Sequence, residues 1–527
     1  MRTAAVWLMA VFAQLASPNA TSAVPGPDTV AVLANAALAD SIALAEFYAE
    51  SRQIPSRHVC PLLLPESSDL PAEDFWTKLF EPLQGCLRGI EQRIEAIVLV
   101  RGVPLRLIAV GNRAVSLASA LSVSRSVTIE NGSSLLLEEP GYRTACGKRT
   151  CYAARFLNPF RFGTFAPDWS IEEEGVRWRP WIVTMLHGRS YEEAALLVVN
   201  AKNAESSPLP STQVLFMDGR DPPRSVLDFE TEEVLQSLRE IGPHSVERVS
   251  FDRDLGGRRL TGFFTGSSVL EDTIEGNRFW SGALVDNLTS YGAVPGNFAK
   301  DSQTQVSIAR WVAQGVGGVH GTVAEPLNNV FPSRHLIVDY VLGSTLAEAY
   351  YRRLPYTYWM NLVLGDPMLA PYAHRPRVEI SGIKNGAKIT QATTIRVQSE
   401  DPLHRGTPEL SLYLDGTKIA HQKGHRLDLC LAPRTHGRNV QLLAVAQAAA
   451  DPIGDRPFRP KGWAELRLDT EQVYGSCDAA VGPPAFDGPQ PTQVQGCSTA
   501  KGASFKFTLE LSFFVLFAFL RRRSQHA

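Results

Sequence analysis

The sequence lacks most of the features that announce a function. Lys and Arg number 52 against 54 Asp and Glu, a formal net charge of −2 over 527 residues, so no global field draws the chain to nucleic acid. Its 11 histidines and 7 cysteines are scattered. There is no His-Glu-x-x-His and no paired Cys-x-x-Cys, which removes the usual zinc spacings. Asp252 and Asp254 are closely spaced acids, but the remaining ligands of an EF-hand loop do not follow them. No Gly-x-Ser-x-Gly elbow surrounds Ser267 and Ser268. No solenoid period repeats along the chain. Nothing here calls for a metal, a cofactor or a nucleic-acid partner.

What is there begins at the two ends. Met1-Arg2-Thr3 leads into a stretch from Ala4 to Ala16 that is apolar except for Gln14, followed by Thr21-Ser22-Ala23. That charged, apolar, small-residue order predicts a signal peptide over residues 1–23, cleaved after Ala23, because the apolar stretch falls well short of the roughly 20 residues that cross a bilayer. At the other end Phe507 to Leu520 is apolar except for Thr508, Glu510 and Ser512 and runs into Arg521-Arg522-Arg523. This is a hydrophobic stop with a positive-inside brake, and it predicts contact with the cell-envelope membrane through a transmembrane-like tail. Its cleanest core, Leu511 to Leu520, is short and lies next to Glu510, which favours a processed sorting tail over a permanent anchor. The expectation is an exported protein kept at the cell surface or outer envelope, membrane-anchored or released after processing.

Seven cysteines in an exported chain suggest three disulfides and one cysteine left over. Proximity in sequence suggests Cys60 with Cys86, Cys146 with Cys151 and Cys430 with Cys477, leaving Cys497. One sequence does not determine connectivity, and scattered buried thiols are the alternative.

Between the ends, apolar runs Thr29 to Leu33, Val59 to Leu64 and Ala96 to Val100 read as strands. Helices are expected from Asp40, as N-cap, through Arg52 and from about Ala72 to Arg93, giving a βαβαβ start with parallel, doubly covered strands. Gly111 to Arg179 has no sustained period and reads as a long excursion, with Cys146 to Cys151 as a clamped hairpin. Trp181 to Met185 is a strand, and Ser190 caps a helix to Ala204. A second set follows: strands Val214 to Met217, Val246 to Phe251 and Val316 to His320, and helices Phe229 to Ile241, Ile308 to Gln314 and Gly343 to Arg353. From Pro376 short alternating runs such as Leu410 to Leu414, with a turn at Asp415-Gly416, predict a C-terminal all-β immunoglobulin-like sandwich. The predicted divisions are 24–205, a first α/β subdomain; 206–375, a second; 376–470, the sandwich; 471–500, a Pro- and Gly-rich linker with Gly496-Cys497; and 501–527, the tail.

Gly496-Cys497, a small-residue spacer, an apolar helix and an Arg cluster resemble the C-terminal surface-sorting tails of myxobacterial exported proteins. The resemblance implies that Cys497 is a processing or lipidation point and that a sorting machinery is a partner. Val30 to Tyr372 resembles a family of uncharacterised exported bacterial proteins. Asp40 to Tyr48 with Ile54-Pro55, Ile97 to Arg106, Asn158-Pro159-Phe160, Asn277-Arg278-Phe279, Leu288-Thr289-Ser290 and Gly321 to Pro326 carry it. Gly262 to Ser267, the strand leading to Gly321-Thr322, and Leu364 to Leu369 bear a more distant resemblance to the gingipain and caspase-like cysteine peptidases. That likeness implies an α/β fold of mainly parallel strands covered by helices. In those peptidases a His-Gly pair follows one strand and a Cys the next, so that imidazole and thiol can pair. Here Thr265 stands where His-Gly is expected, and no cysteine lies between Cys151 and Cys430.

His320 reads as the end of a buried strand. Glu325 and Asp366 follow apolar strands, where α/β sheets gather functional loops, and with Arg101 and Arg278 they make a candidate polar ligand site. Glu325, Asp366 and Ser267 are the candidate centre of a hydrolase that dispenses with cysteine. The bland readings are a turn-forming Asp366 before Pro367, a loop acid at Glu325 and a core-rim pair for Arg101. A surface binding or assembly module is the favoured expectation, and the hydrolase the competing one.

Overall fold

The computed structural model describes residues 25–109, 113–124, 158, 160, 171–173, 176–178, 180–210, 213–242, 244–299, 305–449 and 459–474. The leader 1–23, the linker from 475, the tail 501–527 and Cys146, Cys151, Cys477 and Cys497 lie outside these residues.

A ten-stranded sheet organises the body. Its strands are β1 (Val30–Asn35), β2 (Val59–Leu62), β3 (Ala96–Val100), β4 (Ile182–Leu186), β5 (Gln213–Met217), β6 (Ser245–Val249), β7 (Arg259–Thr265), β8 (Arg278–Asn287), β9 (Gly318–Thr322) and β10 (Asn361–Gly365). Their spatial order is β6-β5-β7-β8-β9-β10-β4-β3-β1-β2. Strands β2, β1, β3 and β4 pair in parallel, as do β6, β5, β7, β8 and β9. Strand β10 runs antiparallel to β9 through five residue pairs from Gly318↔Gly365 to Thr322↔Asn361. The single pair Leu364↔Met185 joins the two groups.

Parallel strands need crossover connections, and these supply the covering helices α1 (Ala39–Arg52), α2 (Tyr191–Ser206) and α3 (Thr231–Ile241), while α4 (Leu346–Arg353) lies in the connection from β9 to the antiparallel β10. With both faces covered, strand residues such as Val30 to Ala34 and Ala96 to Val100 are fully buried, which is why they read as unbroken apolar runs. One hydrophobic core extends from Val30 to Tyr372. Ser190 caps α2 by accepting from Glu193 N. Thr345 and Glu348 close a reciprocal capping box on α4.

Three local expectations are corrected. Leu38, not Asp40, is the N-cap of α1, and Asp40 lies in its first turn. The helix expected over Ala72 to Arg93 is a succession of a 3-10 turn (Ala72–Asp74), a π-helical stretch (Phe75–Phe80) and a short α-helix (Glu81–Cys86). Gly89 has φ +82° just beyond, a conformation that suits glycine. The Cys60–Cys86 disulfide ties this segment to β2 as expected. Cys430 is disulfide-bonded as well. Third, β7 and β8, two central strands, were not legible as strands. Gly262 sits among Val214, Ile337 and Phe264, and Gly282 lies against the Trp280 ring, so the glycines that weaken the pattern make room for neighbours.

The C-terminal part is antiparallel β: β11 (Arg377–Ser381), β12 (Thr393–Glu400), β13 (Glu409–Leu414), β14 (Thr417–Lys423), β15 (Arg426–Gln447) and β16 (Lys461–Tyr474). Their order is β11-β12-β15-β13-β14, with β16 on β15. Residues alternate between buried and exposed along β12, and Ile395, Val397, Leu410, Leu412, Leu442 and Leu468 form a separate core. This part docks on the body through buried polar contacts. Tyr413 Oη donates to Asp28 Oδ2 at 2.9 Å, Lys461 Nζ donates to Thr29 Oγ1 at 3.2 Å, and Gln441 Nε2 donates to the Gln53 carbonyl at 2.9 Å. The chain is thus an α/β body with a large, mostly parallel sheet flanked by helices, followed by antiparallel β structure. Among the described residues, no helix is long and apolar enough to cross a membrane.

Candidate functional site

Loops leaving the carboxyl ends of parallel strands collect at one edge of an α/β sheet. Arg106 Nη1 donates to the Val323 carbonyl at 3.3 Å, and the His187 ring packs edge-on against Phe298 at 4.7 Å. These contacts put the loops after β3, β4, β8 and β9 at the same edge.

The expected ligand residues do not converge there. Glu325, in the loop after β9, is exposed and accepts a hydrogen bond from Ser290 Oγ at 2.7 Å. Arg101 follows β3 and spends one donor on the Arg189 carbonyl at 3.3 Å. Arg278 begins β8 opposite Arg259, eight positions before Asp286. The register shift within β8 leaves five partner positions from Arg259 to Phe264, so Arg278 stands about 17 Å from the carboxyl edge.

Asp366 also lies at the far edge. Because β10 runs against β9, its end at Gly365 meets the start of β9 at Gly318. The assumption that a residue following a strand reaches the functional edge fails on this strand, which runs against β9. Asp366 is fully buried, accepting from Tyr48 Oη at 2.8 Å and from Met368 N at 2.9 Å. It also pairs with Arg52 Nε, and Arg52 pairs in turn with Glu205. This is a structural ion cluster. Burial opposes the Arg52 charge, and Asp366 and Glu205 more than offset that, so its pKa is raised.

Ser267 is consumed by its own turn. It is fully buried, its Oγ donates to the Val269 carbonyl at 2.7 Å, and it accepts from Val269 N at 3.1 Å. Asn287 bridges the same turn, accepting from Ser267 N at 2.8 Å and donating to the Ser267 carbonyl at 3.0 Å. Thr265 and Asn287, at the ends of β7 and β8, pair across the sheet. Thr265 Oγ1 is buried without a hydrogen-bond partner. Gly266 is crowded by the Arg224 carbonyl so closely that any Cβ there would collide with backbone. Arg220 N donates to the Gly266 carbonyl at 2.8 Å. The segment 220–224 therefore packs directly against the residue that follows Thr265.

No thiol meets an imidazole among the described residues. Cys60, Cys86 and Cys430 are all in disulfides. His320 is fully buried, as expected of a strand residue, with Nδ1 2.8 Å from Asp286 Oδ1 and Nε2 3.0 Å from Asn361 Oδ1. Asn361 Nδ2 has no partner in that orientation. His187 is held neutral: burial pushes its pKa down to about 3, and the nearby Arg101 charge adds to the effect. Among the described residues, no group of His, Cys, Asp and Glu has the make-up of a metal site.

Sequence reasoning missed Ser290 as the partner of Glu325. It stands in the quoted run Leu288-Thr289-Ser290, and its place just beyond a central strand was hidden because β8 was not recognised. A separate cleft of about 540 Å³ opens where body and β structure meet, lined by His374, Arg375, Pro402 and Trp463 among others. The Arg375 guanidinium stacks on Trp463 at 4.8 Å and pairs with Glu205.

Comparison with known proteins names no family. No family model matches the chain, and no curated protein matches it. Among solved structures, a β-glucuronidase from Bacteroides uniformis aligns over 85% of this chain and 48% of its own length, with 10% identity and a TM-score of 0.14. The chain thus spans about half the length of that structure, and overlap at that level carries no argument about fold or function.

Proposed function

We propose that this chain is an exported, surface-retained binding or assembly module, built on a caspase-like scaffold without thiol–imidazole chemistry and spaced from the envelope by an immunoglobulin-like sandwich. The carrying observation is the pairing of Thr265 with Asn287 at the ends of adjacent strands β7 and β8. Those are the places where the peptidases that the sequence resembles put His-Gly and Cys. Asn287 holds a turn there, and the Arg224 backbone covers Gly266, so the position is committed to structure. The disulfides agree with an oxidising compartment. The leader-like start, Cys497 and the apolar tail support surface retention through a sorting machinery.

Two measurements test this reading. Purified mature protein should resist peptidyl probes that alkylate an activated thiol, and labelling of any cysteine by such a probe would overturn the non-peptidase view. Cys497→Ala should lower the fraction accessible to surface biotinylation on intact cells. Unchanged retention would remove the role assigned to the tail.

A further inference from the structure

We infer that Ser290 and Glu325 form a nucleophile–base pair that takes an acyl group from a carboxylic ester, an activity beyond the binding role. Ser290 Oγ donates to Glu325 Oε1 at 2.7 Å, inside the range expected of an activated hydroxyl and its base. Glu325 is exposed and Ser290 partly so, which leaves the hydroxyl open to a substrate. Ser267 in the neighbouring loop is spent on its own turn.

Both residues are firmly mounted. The Ser290 carbonyl accepts from Thr322 Oγ1 at 2.7 Å, and Ala293 N donates to the Thr322 carbonyl at 3.0 Å. Tyr291 N donates to Gln305 Oε1 at 3.0 Å, and Asn297 Nδ2 donates to the Tyr291 carbonyl at 2.8 Å. On the other loop, Arg106 reaches the Val323 carbonyl, two residues before Glu325, while Asp69 neutralises its charge. The hydroxyl and the carboxylate therefore meet on loops tied to adjacent parallel strands, β8 and β9.

In the step proposed, the Glu325 carboxylate removes the Oγ proton as Oγ bonds to the ester carbonyl carbon. The tetrahedral oxyanion collapses, the bond to the leaving alkoxide breaks, and the alkoxide departs as an alcohol with the proton from Glu325. Water then attacks the acyl-serine, giving one proton to Glu325. Collapse releases the carboxylic acid, and that proton returns to Ser290 Oγ. An ester suits this pair better than an amide, because an alkoxide leaves a tetrahedral intermediate more readily than an amide nitrogen does, and a carboxylate is a weaker base than an imidazole.

The test uses the mature full chain and a fluorophosphonate reporter, which forms a P–O bond to an activated serine and expels fluoride. Labelling is expected at Ser290 by peptide mapping, lost in Ser290→Ala and slowed at least about a hundredfold in Glu325→Gln, the lower end of a general base's contribution. Ser267→Ala should label as the wild type does. The wild-type rate should rise with pH through one carboxylate ionisation, and that rise should vanish in Glu325→Gln. An unlabelled Ser290 in folded wild-type protein, or an undiminished rate in folded Glu325→Gln, overturns the proposal. Should a variant fail to fold, the wild-type mapping and its pH profile still decide. Neither outcome bears on surface retention or thiol chemistry, which the preceding tests address separately.

Discussion

Lys461 Nζ stands 3.4 Å from Glu95 Oε2 and 3.5 Å from Asp28 Oδ1, so one buried cation at the start of β16 faces two carboxylates of the α/β body. Tyr413 adds a hydrogen bond to Asp28, and the Arg93 guanidinium lies over the Tyr413 ring at 4.9 Å. Burial opposes the charge on Lys461, but Asp28 and Glu95 keep its pKa above the ordinary lysine value. Burial likewise opposes ionisation of Asp28, yet Lys461, Tyr413 and Arg93 hold its pKa below the ordinary aspartate value. Glu95 is left with the smaller share of Lys461: burial dominates, Lys461 offsets it only in part, Asp28 adds to it, and its pKa is pushed up to about 7.

A pH-dependent junction follows. Between the ordinary glutamate range and pH 7 the folded chain holds a proton on Glu95 that the unfolded chain has lost, so this group's contribution falls as pH rises through that window. His58 and His187, both depressed to about 3 by burial, act oppositely, because the unfolded chain takes up their protons below about pH 6.5. Total stability therefore blends the two, and Glu95→Gln separates them. Gln mimics the protonated acid, so the variant should match the wild type near pH 4.5 and exceed it by about 3 kcal/mol at pH 8, an upper figure for a shift of this size. Urea unfolding at several pH values measures the difference, and a gap that does not change with pH would refute the assignment.

Asp366 supports a prediction of a different kind. It faces Arg52, whose side chain is 4% exposed, and Tyr48 Oη. Asp366→Asn removes one anion from a buried pair and should cost about 3–5 kcal/mol of stability. Denaturant midpoints should shift accordingly, while fluorophosphonate labelling of Ser290 on the opposite edge should persist. A variant of wild-type stability with altered labelling would return Asp366 to the functional site.

The parts of the fold carried by local composition were legible. Unbroken apolar runs gave β1 and β3, Ser190 gave the start of α2, and alternation gave β12 and β13. What failed depended mostly on neighbours distant in sequence. Gly262 obscured a central strand because its smallness makes room for Val214 and Ile337, both far along the chain, whereas Gly282, which obscured the next strand, makes room for the nearby Trp280 ring. The direction of β10, which sends Asp366 to the far edge, has no local signature at all. The same limit hid Ser290 behind an unrecognised strand, although Glu325 was already a candidate.

The Cys60–Cys86 bridge closes a loop of 26 residues across the broken helical segment. The chain-entropy relation assigns about 3.5 kcal/mol to a loop of that length. Replacing both cysteines by Ala should lower unfolding free energy by roughly that amount. Hydrogen exchange should quicken first at Phe75–Phe80, whose irregular π-helical turn depends on that tie. A loss confined to the far side of the sheet would contradict the local role given to the bridge.

Asn287 offers the sharpest check on the structural reading of the dyad position. Its amide both accepts from Ser267 N and donates to the Ser267 carbonyl, which an ionised carboxylate of the same size cannot do. Asn287→Ala leaves two buried backbone groups unpaired and should cost about 2–4 kcal/mol. Asn287→Asp keeps the acceptor, loses the donor and brings a carboxylate against a carbonyl, so it should be destabilised too, with the loss easing at low pH as protonation restores an O–H donor. A site kept for chemistry would show the reverse, with stability held and ligand or probe reactivity changed. Denaturation of both variants at pH 4.5 and 7.5, alongside Ser290 labelling, separates the two cases.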